Sequence, residues 1–334
     1  MLSRWLENIS FGLSSSLALL FSKKPDAVYS NSWPVFATGL VSLVCTIRRI
    51  PLVVSVQDMY PESLSVQRRI DPEHWAYRLL LSIDKQIAQK SAGIIVLTGN
   101  HAVQYSQTRN VDPGRIHVIP NWVDRDSIVL EDKNEFRSQT GISPDAFVLV
   151  YGGNIGKAAG VENLIKAMGE LSPKRETVLV IAGSGTELAE CQELASSIKN
   201  TRIIFHSPWK NEETSKLLAA ADVLLLPTRG DQSLSSVPSK LLSYMLSAKP
   251  VLAMVLAESD TAQVIKEADC GWVIPPDDVD LLEAKILQLS QASPSELLVK
   301  GQNGRKFAAE HFTTNKLLPK VIEVIENTIV KGKK

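Results

Sequence analysis

Cysteine is scarce in this chain and shows no pairing pattern. The three cysteines among 334 residues are isolated and odd in number. They form neither a disulfide framework nor a paired-cysteine metal motif, which indicates a reducing, cytoplasmic environment. An excess of one charge is also missing, because 36 basic and 36 acidic residues cancel. This balance argues against a protein that neutralises nucleic-acid phosphates, and we expect no nucleic-acid partner.

Long apolar runs are absent as well. The best candidate, FGLSSSLALLF from Phe11 to Phe21, is far shorter than the ~20 residues that span a bilayer. It also lacks the small-residue cleavage pattern of a signal peptide. We expect it to be a core helix of an α/β domain. With Arg4 before it and Lys23 and Lys24 after it, a helix in peripheral contact with the inner face of the cytoplasmic membrane is the alternative.

The chain also lacks the common catalytic signatures. Neither a Ser-His-Asp array nor an HExxH motif can be read from it. We therefore expect no metal ion and no resident cofactor. What the chain does have is length for two domains and an apolar content of 44%, enough for a sizeable core.

Short apolar runs alternate with helical patterns along the whole chain, which predicts parallel sheets flanked by helices. Helices are predicted over Pro34–Ile47, Glu73–Lys90, Pro294–His311 and Asn315–Val330. Strands are predicted at Ala27–Ser30, Leu52–Val56, Ile94–Leu97, Ile116–Ile119, Phe147–Tyr151, Val178–Ala182, Arg202–Phe205, Val223–Leu226, Val251–Met254 and Trp272–Ile274.

The turn-rich segment Pro120–Asp124 and the polar run after it predict a domain boundary. We expect a first Rossmann-like domain at 1–125, a second at 126–312 and a C-terminal helix at 313–334 that can cross back to the first. A mononucleotide-binding half usually opens with a strand and a glycine turn, but this chain opens with a helix. We therefore expect the first domain to lack its opening βα units, through an internal start, a truncated gene or a genuine short form.

The most informative segment runs from Val223 to Met254, a strand, a polar loop, a helix and a second strand. Pro238 is expected in the first turn of the helix, where its missing N–H costs nothing. The loop serines and Lys240 would face the free amides of that turn, which predicts a site for an anion such as a phosphate ester. The alternative is an ordinary βαβ crossover whose serines only cap the helix.

Three further loops follow predicted strands of the second domain. The turn at Gly152 and Gly153 lets backbone amides approach a ligand, and Asn154 and Lys157 can contact a phosphate, although the spacing matches no dinucleotide or P-loop fingerprint. IAGSG ends at Gly185, and FHSPW follows the third strand. In the latter loop, His206 can bind a base or be structural, and Trp209 can stack on a base or pack in the core. Carboxyl ends of parallel strands are where open α/β sheets bind ligands.

In the first domain, QDMYPES follows an apolar strand. Asp58 at this strand end is a candidate contact to a sugar hydroxyl. Glu62 favours the start of a helix.

Taken together, YGGNIG, IAGSG, SVPSKLLSYM followed by AKPV, QDMYPES and PNWVD resemble the retaining glycosyltransferases of family 4, which have the GT-B fold. The resemblance is closer to the WbuB-type subgroup, which builds bacterial surface polysaccharides. It implies two Rossmann-like domains facing a cleft, a UDP-sugar or related NDP-sugar donor, and an acceptor bound mainly by the first domain. The catalytic candidates are Asp58, Lys157 and Lys240. The donor-binding candidates are Gly152, Gly153, Asn154, Gly183, Gly185, His206, Ser235, Ser236, Val237, Ser239 and Ser243.

Two departures from the family pattern stand out. The family's two glutamates fall at Ser235 and Ser243, and a hydroxyl gives a weaker bond to ribose than a carboxylate does. Asp231 is the acid that could substitute, while Glu162 and Glu170 are expected to be surface residues of another helix. The family's arginine and lysine of the first turn fall at Asn154 and Ala159.

The function expected from the resemblance is transfer of a hexosyl or N-acetylhexosaminyl group to a lipid-linked saccharide or polysaccharide precursor. One alternative is a non-catalytic nucleotide-sugar-binding subunit of a split or degenerate enzyme. Another is a sugar-nucleotide epimerase of GT-B type, since one fold can host both activities.

Overall fold

The computed structural model describes residues 2–66, 70–234 and 237–332. The chain divides into two compact units, Met1–Asn121 with Asn315–Lys334, and Trp122–Thr314. Each unit contains one parallel β-sheet with helices, which confirms the predicted α/β class.

The first unit has a four-stranded sheet in the order β1-β2-β3-β4. All of its strand pairs are parallel. Its strands are β1 (Val28–Asn31), β2 (Leu52–Val56), β3 (Gly93–Val96) and β4 (Ile116–Val118). Its helices are α1 (Leu2–Phe21), α2 (Val35–Arg48), α3 (Glu62–Val66), α4 (Trp75–Lys90), α5 (Gly99–Arg109) and the C-terminal helix α14 (Thr314–Gly332).

The second unit has a six-stranded sheet in the order β10-β9-β8-β5-β6-β7, and its pairs are also parallel. Its strands are β5 (Phe147–Gly152), β6 (Thr177–Ala182), β7 (Arg202–His206), β8 (Val223–Pro227), β9 (Val251–Met254) and β10 (Gly271–Ile274). Its helices are α6 (Lys133–Gln139), α7 (Val161–Glu170), α8 (Leu188–Ser196), α9 (Thr214–Ala219), α10 (Ser239–Leu246), α11 (Asp260–Glu267), α12 (Val279–Ser290) and α13 (Pro294–His311).

The predicted strands all lie within one residue of observed ones. The signal was strongest for the central strands, which are buried on both faces, as parallel strands between helix layers are. Every residue of β5, β6 and β8 is buried. Each is a short, nearly continuous apolar run that ends at a turn.

Helix α14 packs within the first unit. A Cβ placed on Gly93 of β3 would lie 3.2 Å from a methyl carbon of Val324, so the helix sits directly on this strand. Leu317, Val321 and Val324 of this helix are buried. The unit boundary falls after Asn121, four residues before the predicted one.

Helix α1 corrects one expectation. One of its faces packs on α2, where a Cβ on Gly12 would lie 2.7 Å from the Cα of Ala37. The other face is apolar and exposed, so α1 is not a core helix throughout. Its exposed apolar residues are Ile9, Phe11, Leu13, Leu17, Leu20 and Phe21. In the part of the chain that the structure describes, no helix is both long and apolar enough to cross a membrane.

Candidate functional site

The candidate site lies where the strand order of the second sheet reverses. From β5 the chain builds outward through β6 to β7, and then returns to place β8 on the other side of β5. Ligands of open parallel sheets bind outside the carboxyl ends of the strands at such a reversal. The loops after β5 and β8 flank it.

The two predicted glycine turns are in direct backbone contact. The Gly153 amide donates to the carbonyl of Ala182 at 2.9 Å, and the Ile155 amide donates to that of Ser184 at 2.8 Å. A Cβ on Gly183 would lie 1.9 Å from the carbonyl oxygen of Gly153, and one on Gly185 would lie 2.1 Å from that of Ile155. Glycine is therefore required at both positions for the turns to meet.

Lys240 lies over the first of these turns. Its Nζ donates to the Tyr151 hydroxyl at 3.1 Å and sits 4.4 Å from the centre of that ring. A Cβ on Gly153 would be only 2.5 Å from the same Nζ. Burial lowers the pKa of Lys240 from 10.5 to about 8. The structure thus brings together a cation and a glycine turn that are far apart in sequence.

The start of α10 differs in detail from the prediction. Pro238 is the N-cap in an extended conformation, and the helix begins at Ser239, which is exposed. Proline has no side-chain acceptor, and no side chain caps this helix among the described residues. The first amides of a helix left uncapped are available to an anion. Ser235 and Ser236 lie outside the described residues, and Val237 just after them is half-buried.

Two tyrosines that sequence reasoning missed hold the first turn in place. The Tyr244 hydroxyl accepts from the Gly152 amide at 2.9 Å and donates to its carbonyl at 3.1 Å. The Tyr151 hydroxyl donates to the carbonyl of Asn154 at 2.7 Å. Burial raises the pKa of both tyrosines, so both remain protonated donors. The available signal was the spacing of Lys240 and Tyr244, four residues apart and hence on one helix face.

The loop after β7 borders the same turn. A Cβ on Gly152 would lie 3.2 Å from the Trp209 ring, whose Nε1 is buried with no hydrogen-bond partner among the described residues. The His206 Nε2 lies 3.1 Å from a carboxylate oxygen of Glu213, and its ring packs edge-on against Phe136. This geometry supports a structural role for His206, and the donor-binding role of this residue stays a prediction.

The remaining predicted residues lie at the surface or near it. Asn154, Lys157 and Asp231 are exposed in the second unit, and Ser243 is half-buried on α10. Asp58 belongs to the first unit, where it is exposed two residues after the end of β2.

Glu162 corrects another expectation. It was expected to be a surface residue, but it is half-buried in the first turn of α7 and ion-paired with Arg229. The Arg229 amide also donates to the Ala158 carbonyl at 3.1 Å, and the Gly230 amide donates to Asp277 at 2.9 Å. The Arg229 contacts tie the start of the loop after β8 to the loop after β5 and to α7, and the Gly230 contact ties it to the loop after β10.

The two parallel sheets match the GT-B fold of solved glycosyltransferase structures. The chain matches the family Glycosyl transferases group 1 over residues 132–307, and a Glycosyl transferase 4-like domain over residues 4–122. It therefore belongs to the group 1 glycosyltransferase family. The spans of the two matches follow the two structural units.

Three individual proteins illustrate this similarity. The probable glycosyltransferase WbjE of Pseudomonas aeruginosa is 25% identical over 306 residues, which are 89% of this chain and 74% of that protein. HepE of Anabaena, solved with UDP, has a TM-score of 0.75 at 17% identity and covers 95% of this chain and 82% of its own. WaaG, a glycosyltransferase of lipopolysaccharide biosynthesis, has a TM-score of 0.66 at 17% identity. The match covers 96% of this chain and 95% of the WaaG chain.

Proposed function

We propose that this protein transfers a sugar from a UDP-sugar to a lipid-linked saccharide or polysaccharide precursor, with retention of configuration. The observation that carries the proposal is the meeting of Lys240, the Gly153 turn and the uncapped start of α10 at the sheet reversal. The motifs shared with the WbuB-type subgroup support a role in surface-polysaccharide synthesis.

The diphosphate of the donor is proposed to bind against Lys240 and the first amides of α10. A helix N-terminus carries a partial positive charge, and an ammonium group adds a full one. The Gly153 turn leaves room beside Lys240, because no side chain projects there. Lys157, exposed on the same loop, is the second cation proposed to contact the phosphates.

The same groups would assist the chemical step. As the acceptor hydroxyl attacks the anomeric carbon, the bond from that carbon to UDP breaks and negative charge grows on the departing phosphate. Positive charge held in place before the reaction stabilises this transition state without further reorganisation. The hydroxyl proton leaves with the phosphate, so the step balances without a metal or cofactor.

The acceptor side of the proposal includes contact with the cytoplasmic face of the membrane. The exposed apolar face of α1 is followed directly by Lys23 and Lys24, both exposed. An apolar face with basic neighbours is suited to lie on an anionic bilayer surface. Sedimentation with vesicles that contain phosphatidylglycerol, but not with purely zwitterionic ones, is the expected result.

The function is tested by following UDP release from UDP-glucose, UDP-galactose and UDP-N-acetylglucosamine with and without a synthetic lipid-diphosphate monosaccharide. A glycosyltransferase releases UDP with one donor and elongates the lipid. Nucleotide binding without release under all conditions would favour the non-catalytic subunit instead. Conversion of the donor sugar without acceptor would favour the epimerase.

Replacing Lys240 by alanine is expected to weaken UDP binding about 10- to 100-fold. This corresponds to the loss of a hydrogen bond to a charged group, about 1.5–3 kcal/mol. The matched control is Lys249→Ala, because burial also lowers the pKa of Lys249 to about 8, but this residue precedes β9 at the amino end of the sheet. Calorimetry should show unchanged UDP affinity for the control. Equal affinities for all three proteins would contradict the proposed phosphate contact.

The affinity for UDP should also fall as pH rises above about 8. In the free protein the Lys240 ammonium loses its proton through a pKa of about 8, whereas a bound diphosphate holds the proton on. Linkage of one proton predicts a decrease of about tenfold between pH 7 and pH 9. The terminal phosphate of UDP has a pKa of about 6 and therefore stays ionised between pH 7 and pH 9. Lys240→Ala should show a flat profile, and a flat profile in the wild-type protein would contradict the assignment.

A further inference from the structure

An exposed aromatic side chain lies at the carboxyl-terminal edge of the first sheet. Trp33 follows β1 by two residues, and Asp58 follows β2 by two. The two strands are in register, with Asn31 opposite Ser55, and the Ser32 amide donates to the Ser55 carbonyl at 2.9 Å. This pairing places Trp33 and Asp58 at the same edge of the sheet.

The Trp33 ring contacts one buried aromatic ring and is otherwise half exposed to solvent. It packs on the ring of Tyr60, with 4.4 Å between centroids and 53° between planes. Tyr60 is 8% exposed, whereas Trp33 is 52% exposed. The indole therefore keeps about half of its surface available for contact with a ligand.

Polar side chains follow the same two strands. Asn31, Gln57 and Asp58 are all exposed at the same strand ends, and the Gln57 amide donates to the Ser55 hydroxyl at 3.0 Å. A sheet edge that carries an aromatic ring together with amides and a carboxylate suits a ligand with one apolar face and many hydroxyls. Pyranose sugars have this character, since their axial C–H bonds can meet the negative face of an aromatic ring while their hydroxyls bond to the rim.

The loop that holds Tyr60 is rigidly attached to the unit. The Tyr60 carbonyl accepts from Nη2 of Arg109 at 2.9 Å, and the same guanidinium pairs with Glu62 and Asp84. Arg109 is fully buried. A surface fixed before binding loses little entropy when the ligand arrives.

We infer that Trp33, Tyr60 and Asp58 form a saccharide platform, which takes a pyranose ring on the indole face of Trp33. The inference rests on the proposed function for its biological meaning, where this ring would belong to the acceptor. It assigns the sugar ring of the proposed saccharide acceptor to a surface of the first unit. Trp33 is a binding residue for this ring, and the Arg109 contacts position the loop beneath it.

The test uses protein labelled with 5-fluorotryptophan, which gives one fluorine signal for each of the six tryptophans. The Trp33 signal is assigned by its absence from Trp33→Phe. Methyl β-D-glucopyranoside, methyl α-D-mannopyranoside and N,N′-diacetylchitobiose are the probes, with glycerol as a polyol that lacks a ring. Trp75, 70% exposed on α4 of the same unit, is the internal control.

At least one sugar is expected to shift the Trp33 signal in a saturable way, while the Trp75 signal stays in place and glycerol has no effect. Saturation-transfer contacts to the sugar should be lost in Trp33→Ala and retained in Trp33→Phe and Trp75→Ala. No shift with any sugar, equal shifts of both tryptophans, or undiminished binding by a folded Trp33→Ala would overturn the platform. UDP calorimetry on the same samples separates the two proposals, because the donor groups belong to the second unit. Sugar binding without UDP binding would support the saccharide platform and contradict the proposed transferase function.

Discussion

Gly153→Val is expected to reduce UDP affinity at least about 100-fold. Gly153 has a φ of +152°, a conformation that a β-branched residue adopts only at a cost of about 1–3 kcal/mol. Its Cβ would also lie 2.5 Å from Nζ of Lys240 and 3.1 Å from Cε, so the lysine must leave its place over the turn. The strain lowers the stability of the turn, while the displaced lysine and the added side chain beside it both weaken phosphate binding, so the loss of affinity should exceed that of removing Lys240 alone. Calorimetric titration with UDP measures this loss.

The matched control is Gly99→Val, because a Cβ at Gly99 would meet nothing within 4 Å. This variant should bind UDP as the wild-type protein does. Circular dichroism and hydrogen exchange over β5 and β6 must show that Gly153→Val still folds. If the folded variant binds UDP normally, the turn is only a packing feature and the proposed phosphate site is wrong.

Arg109→Leu is expected to destabilise the first unit by about 3–5 kcal/mol, the usual cost of removing one partner from a buried ion pair. The Arg109 Nε donates to Asp84 at 2.8 Å, and both side chains are almost completely inaccessible to solvent. The guanidinium also joins Glu62 of α3 to the Tyr60 carbonyl. Without it, two carboxylates remain beside each other with no compensating charge. Faster amide exchange in α4 and α5, measured peptide by peptide, should report the loss within this unit.

The loss of stability should depend on pH in a defined direction. Burial already raises the pKa of Asp84, and Arg109 partly offsets this effect by stabilising the charged form. In the variant the folded-state pKa rises further above the unfolded one, so ionised Asp84 opposes folding at neutral pH, and protonation relieves this as pH falls. The difference in stability from the wild-type protein should therefore be smaller at pH 5 than at pH 8.

Arg78→Leu is the control for this prediction, because the Arg78–Glu73 pair is exposed and such pairs contribute at most about 1 kcal/mol. UDP affinity should not change in either variant, since the proposed donor groups belong to the second unit. Amide exchange in α4 and α5 of Arg109→Leu that matches the wild-type protein would show that the buried pair does not stabilise this unit.

The amino-acid sequence by itself determined the strands and the order of the loops. Most strands of the second sheet are short apolar runs that end at a glycine, proline or polar turn, so local composition was enough to place them. The same holds for the glycine turns and for the position of α10, although Pro238 is its N-cap and not a residue of its first turn. These features depend on neighbours in the chain, which a sequence displays directly.

Only the tertiary structure decided which of these features meet. Lys240 and Tyr151 are 89 residues apart, and Tyr244 and Gly152 are 92 apart. Their contact depends on β8 lying beside β5, a matter of strand order that no local pattern encodes. Glu162 was assigned to the surface for the same reason, because its partner Arg229 belongs to the loop after a different strand.

Helix α1 shows the same division. Its apolar pattern correctly predicted a helix with a face to bury, but the pattern could not say how much of that face its neighbours cover. The small residues Gly12 and Ser16 pack inward, and larger residues such as Phe11 and Leu17 remain exposed. Periodicity records the preference of a residue for burial, whereas actual burial depends on which elements are placed against it, and this is settled only when the whole chain has folded.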